Sequence, residues 1–182
     1  MSIGFTTVVG NMGTELALSY QSNARIIVGC GITSAEKGYT YTVVNDADTL
    51  DAVMQLPKLH TTVVAPRQLY AKYIWHDRIE CLPPFDELKE YDFNPEKVSV
   101  QQVAVALACW IGTPSLFLLG YQLESIKETP ALQAFARLYP RTKFAYIRKP
   151  NPQKINVFDP YPNVVIDDTE TFKQMIKNVV QA

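Results

Sequence analysis

A glycine-rich turn follows the first strand-like run of the chain. The run FTTVV leads into GNMG, and Thr14 then opens a segment with helical character. Glycine lets a backbone approach a ligand closely, and the free amides at a helix start attract an anion such as phosphate. The spacing matches neither the GxGxxG fingerprint nor a P-loop with its lysine. A phosphate-binding loop and a plain tight turn both fit the candidate residues Gly10, Asn11, Gly13 and Thr14.

Two further candidate positions lie later in the chain. Ser99 precedes a stripe of apolar residues at helical spacing, and Gly120 directly follows the strand-like run SLFLL. Ser99 with Gln102 also has the spacing of a capping box, and Gly120 suits a tight turn, so each residue has an adequate structural explanation. Ligands of parallel sheets bind beyond the carboxyl ends of the strands. We therefore expect Ser99, Gly120 and the GNMG turn to meet at one edge of the sheet.

Other polar residues form less specific patterns. His60 and His76 are the only histidines, and neither has an acidic partner at an indicative spacing. Asn45, Asp46 and Asp48 follow a strand-like run, where ribose or metal binding is one interpretation and capping of the next helix is the simpler one. The order of a Ser-His-Asp triad and the spacing of a zinc site are both missing. We expect no metal site.

Composition narrows the class of protein. The chain has 182 residues, 47% of them hydrophobic, and a net charge of -1 with scattered Lys and Arg, which disfavours general nucleic-acid binding. Cys30, Cys81 and Cys109 are an odd number without CxxC spacing, which favours buried reduced thiols. The N-terminal residues lack the pattern of a secretory signal, and no apolar run is long enough to span a membrane. We expect a cytoplasmic protein.

Short β-branched runs alternate with helical periods along the chain. Several runs are apolar at consecutive positions, as in strands covered on both faces. This pattern predicts a single domain over residues 1–182, with a three-layer, Rossmann-like α/β fold in which helices cover both faces of a mostly parallel sheet. The expected strands are FTTVV (5–9), RIIVG (25–29), YTYTVV (39–44), TTVVA (61–65), RIECL (78–82), SLFLL (115–119), KFAYI (143–147) and NVVI (163–166).

Four helices are expected between and after these strands. The best-marked helix begins after Ser99 and ends at Gly112, with Pro114 preventing its continuation. The others are expected over residues 48–56, from Thr129 to about 139, and from about 168 to the end of the chain.

A proline-rich segment over residues 148–163 interrupts this pattern. Its prolines exclude a central strand or helix, so the segment must be an ordered loop or arm. Phe158 and Tyr161 give it apolar groups with which to dock. A connector lying across the sheet edge and an arm that covers substrate or contacts another subunit both remain open.

Two segments together resemble a known family. TVVGNMGTEL and VSVQQVAVALACWIGTPSLFLLGYQLE are similar to the Rossmann-like core of bacterial lipooligosaccharide sialyltransferases and of the related motility-accessory-factor and hydroxymethylpterin-pyrophosphokinase-like proteins. In those families an early Gly-Asn-Gly-Pro-Ser type turn holds a nucleotide, and a small-residue helix, a strand and a Gly-x-Asp turn follow later. The resemblance implies a CMP-type nucleotide or nucleotide sugar as ligand. It assigns the contacts to Gly10, Asn11, Gly13, Thr14, Ser99 and Gly120.

The chain also departs from the family pattern. Val100 and Gln101 replace small residues at the helix opening, and Gln122 stands in place of the aspartate of the turn. The sialyltransferases carry a histidine base downstream of that turn, whereas no histidine follows His76 here. The length needed for the family's lid is missing as well. These departures affect the expected activity more than the expected fold.

Three functions are therefore considered, and enzyme status stays open. The first is a nucleotide-binding, glycosyltransferase-like protein that transfers a nucleotide-activated sugar without a metal. The second is a non-catalytic binding or assembly module on the same fold, homo-oligomeric through the proline-rich arm and of viral or mobile-element origin. The third is another nucleotide-using transferase or hydrolase.

Overall fold

Eight strands form one sheet in which every neighbouring pair is parallel. The computed structural model describes residues 6–9, 26–120, 128–148, 156–168, 170 and 174. All eight expected strands are confirmed, with their ends shifted by at most two residues. They are β1 (Thr6–Val9), β2 (Ile26–Cys30), β3 (Tyr41–Val43), β4 (Thr62–Ala65), β5 (Ile79–Cys81), β6 (Ser115–Leu119), β7 (Lys143–Arg148) and β8 (Val164–Asp168).

Five α-helices are described between the strands. Those over Ala47–Met54, Val100–Trp110 and Glu128–Leu138 were expected, whereas those over Gly31–Lys37 and Arg67–Lys72 were not. The expected last helix lies mainly outside the described residues, and Asp168, proposed as its start, is the last residue of β8. The helices are α1 (Gly31–Lys37), α2 (Ala47–Met54), α3 (Arg67–Lys72), α4 (Val100–Trp110) and α5 (Glu128–Leu138), and a 3-10 helix spans Asp86–Tyr91.

Alternating residues of the strands fill two cores, one on each face of the sheet. Val43 and its register partner Val64 belong to the larger core, which also contains the inward residues of α4 and α5. Their neighbours Val44 and Val63 belong to the second core, which packs under α1, α2 and α3. The fold is thus a three-layer, Rossmann-like α/β arrangement, as the sequence predicts.

The sheet order places the first strand of the chain in the middle. The order is β5-β4-β3-β2-β1-β6-β7-β8, so the chain moves outward from β1 to one edge and then returns to build the other side. The return passes through α4, which packs across β1, β2 and β3. This reversal between β1 and β6 is the topological switch point of the fold.

Helix α4 has the start and the end that its sequence predicts. Ser99 is the N-cap, and its hydroxyl accepts a hydrogen bond from the Gln102 amide at 3.2 Å. After the helix, Gly112 has a φ of 83°, a left-handed conformation that favours glycine. Between them, the residues from Gln102 to Cys109 are all buried, so this helix is the centre of the larger core.

Close packing at the end of β2 requires a glycine. A Cβ atom built on Gly29 would lie 2.2 Å from Ser34 Oγ and 2.5 Å from Tyr39 Cδ2. The Ser34 hydroxyl itself lies 3.0 Å from the carbonyl oxygen of Cys30, to which it donates. The turn from β2 into α1 is therefore held by a contact that any side chain at Gly29 would displace.

The described part of the proline-rich segment packs on α5. Phe158 is buried in the larger core, and the Gln133 side chain donates to the Val157 carbonyl at 3.0 Å. Asn163 Nδ2 lies 2.9 Å from the carbonyl oxygen of Ala136, in the last turn of α5. Arg137 donates to the hydroxyl of Tyr161 at 3.2 Å. Phe158 is thus committed to this chain's own core and is not exposed for a contact with another subunit.

The cysteines differ from one another in burial. All three are free, and Cys30 and Cys109 are buried as expected, but Cys81 is exposed on β5. The expectation of a buried thiol was therefore wrong for Cys81, because β5 is the last strand of the sheet and lacks a covering neighbour among the described residues.

Among the helices described above, none combines the length and the apolar character that crossing a membrane requires.

Candidate functional site

The carboxyl ends of β1 and β6 lie side by side at the switch point. Val9, the last residue of β1, pairs with Leu119, the last residue of β6. Gly120 follows Leu119 at once and has a φ of 67°, which a residue with a side chain adopts only with strain. Gly10 follows Val9 in the sequence. Gly10, Asn11, Gly13 and Thr14 lie outside the described residues, so their assignment to this site stays a prediction.

The start of α4 lies at the same edge of the sheet. The thiol of Cys30, the last residue of β2, is 3.7 Å from the carbonyl oxygen of Val100 in the first turn of α4. β2 is the other neighbour of β1, so this contact places Ser99 near the carboxyl end of the central strands. The hydroxyl of Ser99 accepts the capping bond from the Gln102 amide.

Asn45 fixes the loop that leads into α4, a role that sequence reasoning missed. It follows β3 closely, and its Nδ2 donates to the carbonyls of Pro95 at 3.2 Å and Val98 at 2.9 Å. Because both partners are acceptors, the amide nitrogen faces the loop and the amide oxygen faces away from it. The one available signal was its position: an amide side chain just past a strand end can reach the neighbouring loop.

Asp46 acts as a helix cap, as the simpler interpretation of the sequence holds. Its Oδ1 accepts a hydrogen bond from the Thr49 amide at 2.8 Å, at the start of α2. The expectation of metal-independent transfer rested on the absence of an Asp-x-Asp pair, and that premise was wrong, because Asp46 and Asp48 have this spacing. Within the described parts of the chain, no group of three or more His, Cys, Asp or Glu side chains is arranged to hold a metal ion.

Both histidines lie near the amino ends of the strands, whereas the switch point lies at the carboxyl ends. His60 precedes β4 and His76 precedes β5, so each lies near the amino end of its strand. In a fully parallel sheet the amino ends share one edge and the carboxyl ends share the other. Since the chain contains two histidines in total, this site has no imidazole to act as a base.

A cavity of about 290 Å³ opens between the 3-10 helix and the first turns of α4 and α5. Phe93 forms one wall and contacts the rings of Phe85 and Phe135 edge-on, with centroids 5.7 and 6.0 Å away. Asp92 also lines the cavity, with a left-handed φ of 54° that is uncommon for a residue with a side chain. The cavity thus offers an aromatic wall and one carboxylate near the start of α4.

A solved structure shares this fold. The sialyltransferase CstII from Campylobacter jejuni, solved in complex with the substrate analogue cytidine-5'-monophosphate, matches with a TM-score of 0.54 and 13% sequence identity. The match covers 78% of this chain and 79% of the CstII chain. No protein-family model matches the chain, and no curated protein matches it either. At this identity the likeness shows a common fold.

Proposed function

We propose that the chain is a nucleotide-binding protein of the sialyltransferase-like type, which takes a CMP-type nucleotide or nucleotide sugar at the switch point. Gly10, Asn11, Gly13 and Thr14 would hold phosphate or ribose, with Ser99 and Gly120 completing the site. Its reaction, if active, would be metal-independent transfer of a sugar from the nucleotide to an acceptor.

The pairing of Val9 with Leu119 carries this proposal. It sets the end of β1, which Gly10 follows in the sequence, beside the end of β6 and Gly120, at the carboxyl ends of the strands where open α/β sheets bind their ligands. The start of α4, with its cap residue Ser99, lies at the same edge. The shared fold with a protein that was solved with cytidine-5'-monophosphate supports the choice of nucleotide.

A second function is favoured by the position of the histidines. Both His60 and His76 lie at the amino edge, so a nucleotide at the carboxyl edge would have no imidazole beside it. Sugar transfer to a hydroxyl needs a group that accepts a proton. Asp92 is the one carboxylate that lines the described cavity near α4, and it is the candidate for that role. If Asp92 does not accept this proton, the protein binds the ligand and leaves it unchanged. It is then a binding or assembly module.

Thermal-shift measurements with CMP, other nucleotides and nucleotide sugars test the proposal. A ligand present at about 100 times its dissociation constant stabilises the folded state by roughly 2.7 kcal/mol, which gives a clear rise in melting temperature. We expect the rise with cytidine nucleotides and its loss in Gly13→Val. A melting temperature that no nucleotide raises would contradict nucleotide binding.

Turnover separates the two functions once a ligand is found. Release of CMP from a CMP-activated sugar, absent in Asp92→Asn, would identify a transferase or a hydrolase. Binding without release in the unmodified protein would identify a non-catalytic module.

A further inference from the structure

Strand β5 ends the sheet and leaves one side of its backbone open. Among the described residues it pairs with β4 alone. Ile79 is buried against the core under α3, whereas Glu80 and Cys81 are exposed. An edge strand of this kind presents unpaired N–H and C=O groups and is a template for pairing with another chain.

Two large apolar side chains are exposed just before this strand. Ile74 is 62% exposed and Trp75 is 75% exposed. The indole of Trp75 is flanked by the rings of Tyr73 and His76, with centroids 6.1 and 5.9 Å away. Large exposed apolar groups next to each other mark an interaction surface, and tryptophan is enriched among the residues that dominate binding energy.

A groove of about 410 Å³ lies at the other end of β5. Its lining residues include the apolar Pro66, Leu82, Pro83, Pro84 and Pro95 and the polar Arg67, Asn94 and Glu96. The groove is therefore mostly apolar, and its volume exceeds that of an indole ring. One end of β5 thus carries an exposed tryptophan, and the other end carries a space that could receive one.

We propose that β5 pairs in antiparallel orientation with β5 of a second copy, about a two-fold axis at Ile79, so that Trp75 of each copy enters the groove of the other. Antiparallel pairing brings the amino end of one β5 beside the carboxyl end of the other. A two-fold interface uses the same patch on both copies, and this patch contains both the side chain and the space.

The charges on β5 select this register. With Ile79 opposite its own symmetry mate, Arg78 of each copy lies opposite Glu80 of the other, which makes two attractive cross-strand pairs. Both side chains are exposed, and neither has an ion pair with another described residue. An axis at Glu80 would set two carboxylates against each other. An axis at Cys81 would set Pro83, which has no N–H, opposite Ile79.

The backbone amide of Ile79 makes a long hydrogen bond within the chain, which this pairing would replace. Its amide nitrogen lies 3.4 Å from the carbonyl oxygen of His76, which is long for a hydrogen bond. Arg78 and Leu82 direct their backbone groups toward β4, through bonds of 2.8 Å with Val63 and Ala65. Ile79 and Cys81 therefore direct theirs toward the open side, where antiparallel pairing gives shorter bonds.

Sedimentation velocity over a range of protein concentrations tests the interface. We expect a monomer–dimer equilibrium whose dissociation constant rises about 30-fold in Trp75→Ala, as for a buried tryptophan at the centre of an interface. Trp110→Ala is the matched control, because Trp110 is also exposed, at 56%, but lies at the end of α4. Equal effects of the two substitutions, or a monomer at every concentration, would overturn the proposal.

Charge reversal tests the register. Arg78→Glu places a carboxylate opposite Glu80 at two points, so we expect the dissociation constant to rise about tenfold. The double variant Arg78→Glu with Glu80→Arg exchanges the charges and should restore the dimer. A double variant no better than Arg78→Glu alone would contradict this register.

Disulfide trapping gives a readout that does not depend on affinity. In a Cys81→Ser background, Arg78→Cys and Glu80→Cys proteins are oxidised separately and as a mixture. Directly opposed antiparallel residues have a Cα separation of about 4.5–5.5 Å, within the range of a disulfide. We expect a covalent dimer in the mixture, whereas dimers forming equally in the separate samples would exclude the Ile79-centred pairing. This result is independent of the proposed nucleotide binding, which we place at the carboxyl ends of β1 and β6.

Discussion

Gly112 and Gly120 form a natural pair for testing the site at the scale of a residue. Gly112 precedes the amino end of β6 and Gly120 follows its carboxyl end. Both have left-handed φ values, 83° and 67° respectively. Alanine at either position should lower the free energy of unfolding by about 1 kcal/mol, because a Cβ is strained there. Nucleotide affinity, measured by calorimetry, should fall at least about tenfold in Gly120→Ala alone.

The opposite result has a clear meaning. If Gly112→Ala weakens nucleotide binding as much as Gly120→Ala does, the loss follows from general destabilisation and the switch point is not the site.

Sequence reasoning placed individual residues well where one local interaction decides their role. Ser99 as a cap, Asp46 as a cap and Gly112 as a helix end follow from short-range backbone chemistry, and the structure confirms all three. The role of Asn45 could not be predicted, because its partners Pro95 and Val98 lie about fifty positions away and meet it only through the sheet order. The GNMG turn stays a prediction.

The caps of α2 and α4 allow a matched test at the scale of an element. Ser99 and Asp46 each accept one bond from a backbone amide three residues ahead, at 3.2 and 2.8 Å. Ser99→Ala and Asp46→Ala should each cost about 1 kcal/mol in urea denaturation. We expect only Ser99→Ala to weaken nucleotide binding, by roughly three- to tenfold for one lost hydrogen bond.

A loss of affinity in Asp46→Ala of the same size would place the ligand nearer β3 than we propose. No change in Ser99→Ala would restrict Ser99 to its capping role.

Helices differ in how far their sequences predict them. α4 and α5 have eleven residues each with a clear apolar stripe, and both were predicted. α1 and α3 have seven and six residues, and neither N-cap, Cys30 or Pro66, supplies a side-chain capping bond. Helices this short have fewer than two turns, so their apolar residues show no clear helical periodicity. Their formation depends on packing against the sheet, which the local sequence does not predict.

The three cysteines report on the stability of the whole molecule. Burial raises the pKa of the Cys109 thiol, and Cys30 is also buried, whereas Cys81 is exposed. Thiolates react and buried thiols do not, so an aromatic disulfide reagent should modify the exposed Cys81 thiol quickly in the folded protein. The other two should react at the rate of global unfolding. The dilute protein should be used, so that Cys81 is not covered by a second copy.

Cys81→Ser is the control for this measurement and should abolish the fast phase. A fast phase that persists would show that Cys30 or Cys109 opens locally, without global unfolding.

The order of the strands in the sheet cannot be predicted from local sequence patterns. Consecutive apolar runs predict a parallel sheet covered on both faces, and that prediction holds. They do not predict that β6 returns to the side of β1, since this depends on how α4 packs across β1, β2 and β3. The family resemblance predicted the type of fold, and the register of β1 with β6 shows where its switch point lies.

The central position of β1 has a consequence for how the protein is made. Thr6 in β1 and Thr113, just ahead of β6, are joined by a 2.7 Å hydrogen bond although 107 residues separate them. A ribosome adding about 5–20 residues per second needs roughly 5 to 20 seconds to cover that distance. During that time one edge of β1 has no partner and can pair with other nascent chains. The middle of the sheet is thus completed late, and protection by a chaperone during synthesis would act on its first strand.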